Sequence, residues 1–283
     1  MIDRLPTRTI LFLAAALTTI PMASPAANIP TLPSYSSYAD LADLALSAPV
    51  IVLATITSAS RLTPEESAGV AAGKARFYVT AKVTALLKGR DGVPPVVAYL
   101  ADVPLDPQGR PLKMRKATVL LFGATVPGRI GELRLIAPDA QIGAPPEIEA
   151  RVRAILTAAI ARDAPPRITG INNAFYVPGA VPGESETQIF LTTADQRPVS
   201  LSILRRPGEE PHWAVALSEM TDEAAQPPAR DTFLWYRLAC TLPPALPASS
   251  TSELSPDYAR AASADYGVVI AGLGPCQRTR KTK

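Results

Sequence analysis

Phe77-Tyr78-Val79-Thr80-Ala81-Lys82-Val83-Thr84-Ala85-Leu86-Leu87 alternates, with Phe77, Val79, Ala81, Val83, Ala85 and Leu87 apolar and the intervening set mostly polar or amphipathic. A period of two places one face of a strand in a core and leaves the other largely wet. At about 3.3 Å per residue such a strand exceeds 30 Å, so it is expected to bend, as long strands of small barrels do. Lys88-Gly89-Arg90-Asp91-Gly92 then turns the chain.

Working outward, residues 50–58 predict a strand whose opening Val50-Ile51-Val52-Leu53 is apolar on both faces and therefore central. Residues 96–100, 118–122 and 133–136 predict three more. Residues 38–47 carry helical spacing, with Ser36 or Ser37 as cap and Pro49 as stop. Residues 60–74 are a small, polar surface loop, and residues 101–116 form a connection with Asp106-Pro107-Gln108-Gly109 as its turn. Five strands and one short helix predict a small β-barrel over residues 28–145, which the resemblance that follows makes OB-like. Ala48-Pro-Val-Ile-Val-Leu-Ala-Thr-Ile56, a loop, and the strand from Phe77 to Gly89 resemble the OB-type barrels of secreted netrin-like modules and tissue inhibitors of metalloproteinases. That resemblance implies the fold of about the first third of the mature chain. Those inhibitors chelate the protease metal through an N-terminal cysteine, and this sequence has none before Cys240, so their mechanism does not carry over.

Residues 146–166 form a connecting unit. Ile148, Val152, Ile155, Leu156, Ala159 and Ile160 give one apolar helical face, with Glu147/Arg151 and Glu149/Arg153 spaced four apart on the other, and Asp163-Ala-Pro-Pro166 ends it. A second domain, residues 167–276, opens with the tandem turns Val177-Pro-Gly179 and Val181-Pro-Gly183. Strands are expected at 188–192, 199–205 and 212–217, the last two as a hairpin about Pro207-Gly208. In residues 232–242 Phe233, Trp235 and Tyr236 favour strand over helix. Ser255-Pro256 starts a helix that Gly267 is expected to close, with a strand over 267–273. The class is mainly β (α+β), the rear domain being a β-rich sheet or sandwich with one helix.

The chain has 283 residues, 47% of them hydrophobic and 19% charged, which suits two globular domains. Arg4 and Arg8, the apolar run 10–20 and the small residues up to Ala27 read as a signal peptide over 1–27, with a run too short for a stable membrane span. The expected location is periplasmic or secreted, with no transmembrane segment after cleavage. In an oxidising compartment Cys240 and Cys276, the only two cysteines, are expected to form a disulfide worth about 3–4 kcal/mol. The net charge of +3 leans on Arg278, Arg280, Lys281 and Lys283, in a stretch (277–283) expected to be a disordered basic tail. Without leader and tail the body is slightly acidic, which offers nothing to a nucleic acid.

Common catalytic machinery is hard to assemble from these residues. His212 is the single histidine, and there is neither a Gly-x-Ser-x-Gly elbow nor a phosphate-cradling glycine motif. One histidine and two distant cysteines do not make a usual zinc site, and no cofactor is called for. Asp102 with Asp106, and Glu209 with Glu210, leave open a carboxylate-dependent hydrolase, and an exposed loop leaves open protease inhibition. The cluster with most promise is Arg110, Lys113, Arg115 and Lys116, expected to adjoin Lys88 and Arg90. Barrels of this type present such faces to anionic polymers. The sequence therefore points to an exported, non-enzymatic binding module whose partner is an envelope protein or an anionic glycan.

Overall fold

The computed structural model of the protein describes residues 36–217 and 226–280. The expected leader over 1–27 and the final basic positions Lys281 and Lys283 lie outside them. Helix α1 (Tyr38–Ser47) starts at Ser37, whose hydroxyl accepts from the Asp40 backbone N–H while the Asp40 carboxylate accepts from that of Ser37. This reciprocal capping box satisfies two donors that a free helix end leaves unpaired.

Strands β1 (Val50–Arg61), β2 (Lys74–Lys88), β3 (Val96–Pro104), β4 (Thr118–Val126) and β5 (Arg129–Leu135) follow. They pair in the order β1-β2-β3-β5-β4, and β4 returns to β1, closing a five-stranded barrel consistent with the OB-like expectation. Strand β2 runs 15 residues with register shifts against β1. Phe77, Val79 and Ala81 are buried inside, whereas Val83, Ala85 and Leu87 are only half-buried as the strand leaves the core. Val50, Val52, Ala54 and Ile56 of β1, Val97, Tyr99 and Ala101 of β3, and Val119 and Leu121 of β4 fill the interior. Their neighbours Ile51, Leu120 and Phe122 point outward and are fully buried, because α1 covers that side. Apolarity on both faces of residues 50–53 thus has its physical reason. A short strand β6 (Gln141–Gly143), too brief to leave a pattern, adds to β4.

Helix α2 (Pro146–Ile160) buries Ile148, Val152 and Ile155 in the core that holds α1, and Glu149 pairs with Arg153 on its wet side. The rear sheet is a four-stranded antiparallel meander, β7 (Ile168–Pro178), β8 (Ser185–Thr193), β9 (Val199–Arg205) and β10 (His212–Ala216). One face packs into the shared core, while Phe175 and Val177 on the other stay exposed.

Three expectations for the rear half are corrected. Residues 233–239 form helix α3 (Phe233–Ala239), capped by Thr232, because burial of Phe233, Trp235, Tyr236 and Leu238 outweighs the strand preference of aromatics. Helix α4 (Pro256–Leu273) passes straight through Gly267, so there is no strand over 267–273. Ala262, Tyr266, Val269 and Leu273 keep a helical apolar stripe beyond that glycine, and a mid-helix Gly costs only about 1 kcal/mol. The helix ends instead at Gly274, at φ +65°, whose N–H bonds the Ile270 carbonyl. Gly272 is needed for contact: a Cβ there would stand 2.6 Å from the Trp213 indole nitrogen.

The third correction concerns the tail. Cys240 and Cys276 stand at disulfide distance, their Cα atoms 4.8 Å apart. The residues that follow, as far as Arg280, dock on α1 rather than running free. Asp40 is fully buried and accepts from the backbone N–H groups of Thr279 and Arg280, each at 3.0 Å, and from the Thr279 hydroxyl at 2.5 Å. Asp43 accepts from Arg278 Nε at 2.5 Å and Nη2 at 3.0 Å, and from the Tyr236 hydroxyl at 2.7 Å. Arg280 reaches Asp139 at 2.8 Å. A basic segment stays ordered here because it supplies most of the donors that the acids of α1 accept.

Burial alone would raise the Asp40 pKa, but hydrogen bonds from Thr279, Arg280 and Ser37 together hold it below its ordinary 3.8. A carboxyl depressed on folding stabilises the folded state above its unfolded pKa and loses that contribution as pH falls below about 4. Asp40→Ala should lower stability by about 2–3 kcal/mol at pH 7, since it strands three backbone donors, those of Ser37, Thr279 and Arg280. Urea melts at pH 7 and pH 3 should show that the gap between wild type and variant narrows in acid.

Candidate functional site

The six cations of interest fall into two groups along β1, one at its start and one near its middle. Lys88 sits opposite Ile51 in the β1–β2 ladder, whereas the Lys116 backbone N–H bonds the Ile56 carbonyl. Five residues of strand put the groups roughly 17 Å apart at about 3.4 Å per residue. Lys88 is not a free charge. Its Nζ donates to the carbonyls of Ala45 (2.9 Å) and Leu46 (3.2 Å), closing the C-terminal turn of α1, and burial lowers its pKa. Arg90 is exposed in the turn beyond it.

Arg110 is held in its own turn. Its Nε donates to Asp106 Oδ2 at 2.9 Å and its backbone N–H to Oδ1 at 2.8 Å, while Gly109 closes the turn at φ +76°. Asp106 is thereby held below the ordinary carboxylate range, chiefly by the Arg110 backbone N–H. The remaining three, Lys113, Arg115 and Lys116, meet at a cavity of about 790 Å³ at one end of the barrel. Its other walls are Thr57, Ser58 and Ala59 of β1, Phe77 of β2, and Pro111, Leu112 and Met114 of the loop.

This geometry follows from the strands. Lys74 pairs with Pro104 and the Leu105 N–H bonds the Gly73 carbonyl, so residues 62–73 and 105–117 leave the same end of the barrel. Met114 is buried as a plug on the barrel core, and the Ala117 N–H bonds its carbonyl. The plug fixes the loop and turns the neighbouring cations outward. Lys116 takes a left-handed conformation, φ +71°, uncommon for a residue other than glycine. The result is three exposed cations over an apolar floor, with no acidic residue among the described walls.

A second concavity lies on the barrel's side. Strands β3 and β5 pair only at Ala98/Glu132 and Tyr99/Leu133, so beyond Tyr99 that edge of β3 has no strand partner. The opening is a groove of about 460 Å³ with exposed Tyr78 and Leu100 on one flank and Arg129, Glu132 and Arg134 on the other. In its wall Arg76 holds Asp102 through two bonds of 2.7 and 3.0 Å. The sequence marked neither this groove nor Tyr78 as a site, since β3 extends four residues past the expected end of that strand.

The paired acids considered for hydrolysis are not brought together. Asp102 belongs to β3 and is engaged by Arg76, Asp106 is engaged by Arg110, and Glu209 and Glu210 are exposed in the β9–β10 turn. His212 opens β10, exposed and opposite Leu204. Among the described residues no helix is long and apolar enough to cross a membrane, and no cluster of three His, Cys, Asp or Glu is placed to hold a metal. No protein-family model matches the chain, and no curated protein matches it.

Lys88→Met tests the division of labour between the two groups of cations. It should cost about 1–2 kcal/mol in a urea melt, the lower range for a charged hydrogen bond near the surface. It should leave anion binding at the Lys113/Arg115/Lys116 cavity unchanged in a calorimetric titration.

Proposed function

We propose that the protein is an exported binding protein whose barrel-end cavity takes an acidic oligosaccharide. The observation that carries this reading is the convergence of Lys113, Arg115 and Lys116 on one cavity whose described walls contain no acid. Carboxylate or sulfate groups suit the cations, and the apolar faces of sugar rings suit Phe77, Leu112 and Met114. Barrels of this architecture hold oligosaccharides on their loops and faces, an analogy of fold that supports the reading without deciding it. The leader-like N-terminus and the cysteine pair support export. Kinship with the netrin-like modules belongs to the same reading; it rests on the strand pattern. The inhibitors' metal-chelating cysteine has no counterpart before Cys240.

Titration of the mature protein with a trigalacturonate should give binding that weakens as salt rises. The variant Lys113→Gln/Arg115→Gln/Lys116→Gln should bind about a hundredfold more weakly, each lost charged contact removing roughly 0.9 kcal/mol. Equal binding by the triple variant and the wild type would sink the assignment of this cavity.

The open edge of β3 favours a second reading, an extended segment of an envelope protein added to the barrel beside Leu100. Peptides selected on the protein should alternate apolar residues and lose binding to Leu100→Lys. Selected peptides indifferent to that change would dispose of it.

A further inference from the structure

Behind the barrel, α1, the start of β7, α3 and the docked segment after Cys276 enclose a cleft of about 610 Å³. Arg167, Arg237 and Arg278 line it, and Asp43 is the sole acid among its described walls. Asp43 is spoken for: Arg278 and the Tyr236 hydroxyl occupy its oxygens. Two positive charges therefore remain unopposed by any lining acid among the described residues. Asp195 attracts Arg237 from outside the lining, but its carboxylate is itself bonded to Arg197 at 2.8 Å.

Arg237 is unusual on three counts. Its guanidinium lies 4.6 Å from the Phe233 ring centroid and 6.0 Å from that of Tyr236, which fixes the plane of its donors. Its Nε is buried and has no hydrogen-bond partner among the described residues. Burial lowers its pKa, and the like charge of Arg167 acts in the same direction. A guanidinium half-buried beside a second one, with its Nε unanswered and no carboxylate bonded to it among the described residues, leaves a place for an anion. The hydroxyls of Thr169 and Thr241 line the same cleft and supply neutral donors.

We propose that this cleft binds a phosphate group, free or as the monoester end of a larger ligand, between Arg167 and Arg237. A phosphate dianion matches the two unopposed charges, and its several acceptor oxygens can take planar guanidinium donors and the threonine hydroxyls from different directions. The site is separate from both barrel concavities, and it joins elements from the front and rear of the molecule. Occupancy should therefore raise the melting temperature, since a ligand that binds only the folded state stabilises it.

The test is calorimetry and thermal melting of the mature protein at low ionic strength with inorganic phosphate, glycerol phosphate and acetate. Both phosphates should bind and raise the melting temperature while acetate does not; the tighter of the two tells free phosphate from an esterified ligand. Arg167→Gln, at an exposed position, should weaken phosphate binding about tenfold, and Arg237→Met should abolish it. Arg260→Gln removes the same charge on the far side of α4 and should leave affinity unchanged. Absence of heat and of a thermal shift with either phosphate would overturn the proposal, as would an acetate response equal to that of phosphate. Equal losses in Arg167→Gln and Arg260→Gln would also overturn it, because they would reveal general charge attraction.

Discussion

Burying α1 on nearly every side is the condition that the rest of the structure meets. Ala39, Leu41, Ala42 and Ala45 are wholly inaccessible, and so is Asp40. The apolar gain is modest: leucines such as Leu41 and Leu44 each contribute about 1.5–3 kcal/mol on burial. An unanswered buried carboxylate would erase that gain, since the effective penalty for a buried ion is several kcal/mol. The barrel, α3 and the C-terminal segment therefore each send polar groups to the helix. Lys88 from the barrel closes its last turn, Tyr236 and Arg278 answer Asp43, and Thr279 and Arg280 answer Asp40.

This arrangement decides which barrel surfaces remain for a ligand. The β1–β4 side is spent on α1, through Ile51, Leu120 and Phe122. What stays open is the end carrying the two long loops and the side where β3 and β5 part. It also separates chemically similar residues. Lys88 and Lys116 look alike in the sequence, yet one is a helix cap and the other a solvent-facing cation at a cavity mouth.

The barrel was legible because alternation and turn chemistry agree along its strands. Residues 77–87 carry a clean period, Asp106-Pro107-Gln108-Gly109 is the turn it resembles, and Ser37 caps as expected. The rear half was less so, for local reasons. Strand β7 carries Gly170 and two asparagines, and breaks register twice against β8, so its alternation is lost; it is an edge strand and tolerates this. Helix α3 is short and aromatic, and only its burial distinguishes it from a strand. Of the nominated cations, three gather at one cavity and three do not, because partners for Lys88 and Arg110 come from backbone carbonyls and turn geometry that composition does not display. The cleft of arginines escaped notice because Arg167, Arg237 and Arg278 are scattered along the chain and only the packing of α1 unites them.

The docking of residues 278–280 on α1 has a consequence for the order of events in folding. Asp40 lies 239 and 240 positions from Thr279 and Arg280, the longest reach of any polar contact described above. A chain that emerges from one end presents α1 early, with its acids still facing water, and must wait for more than two hundred further residues before its shell is complete. Such nonlocal closure slows the final step, as high contact order does. It also keeps the emerging chain from locking before its distant half is there to be packed.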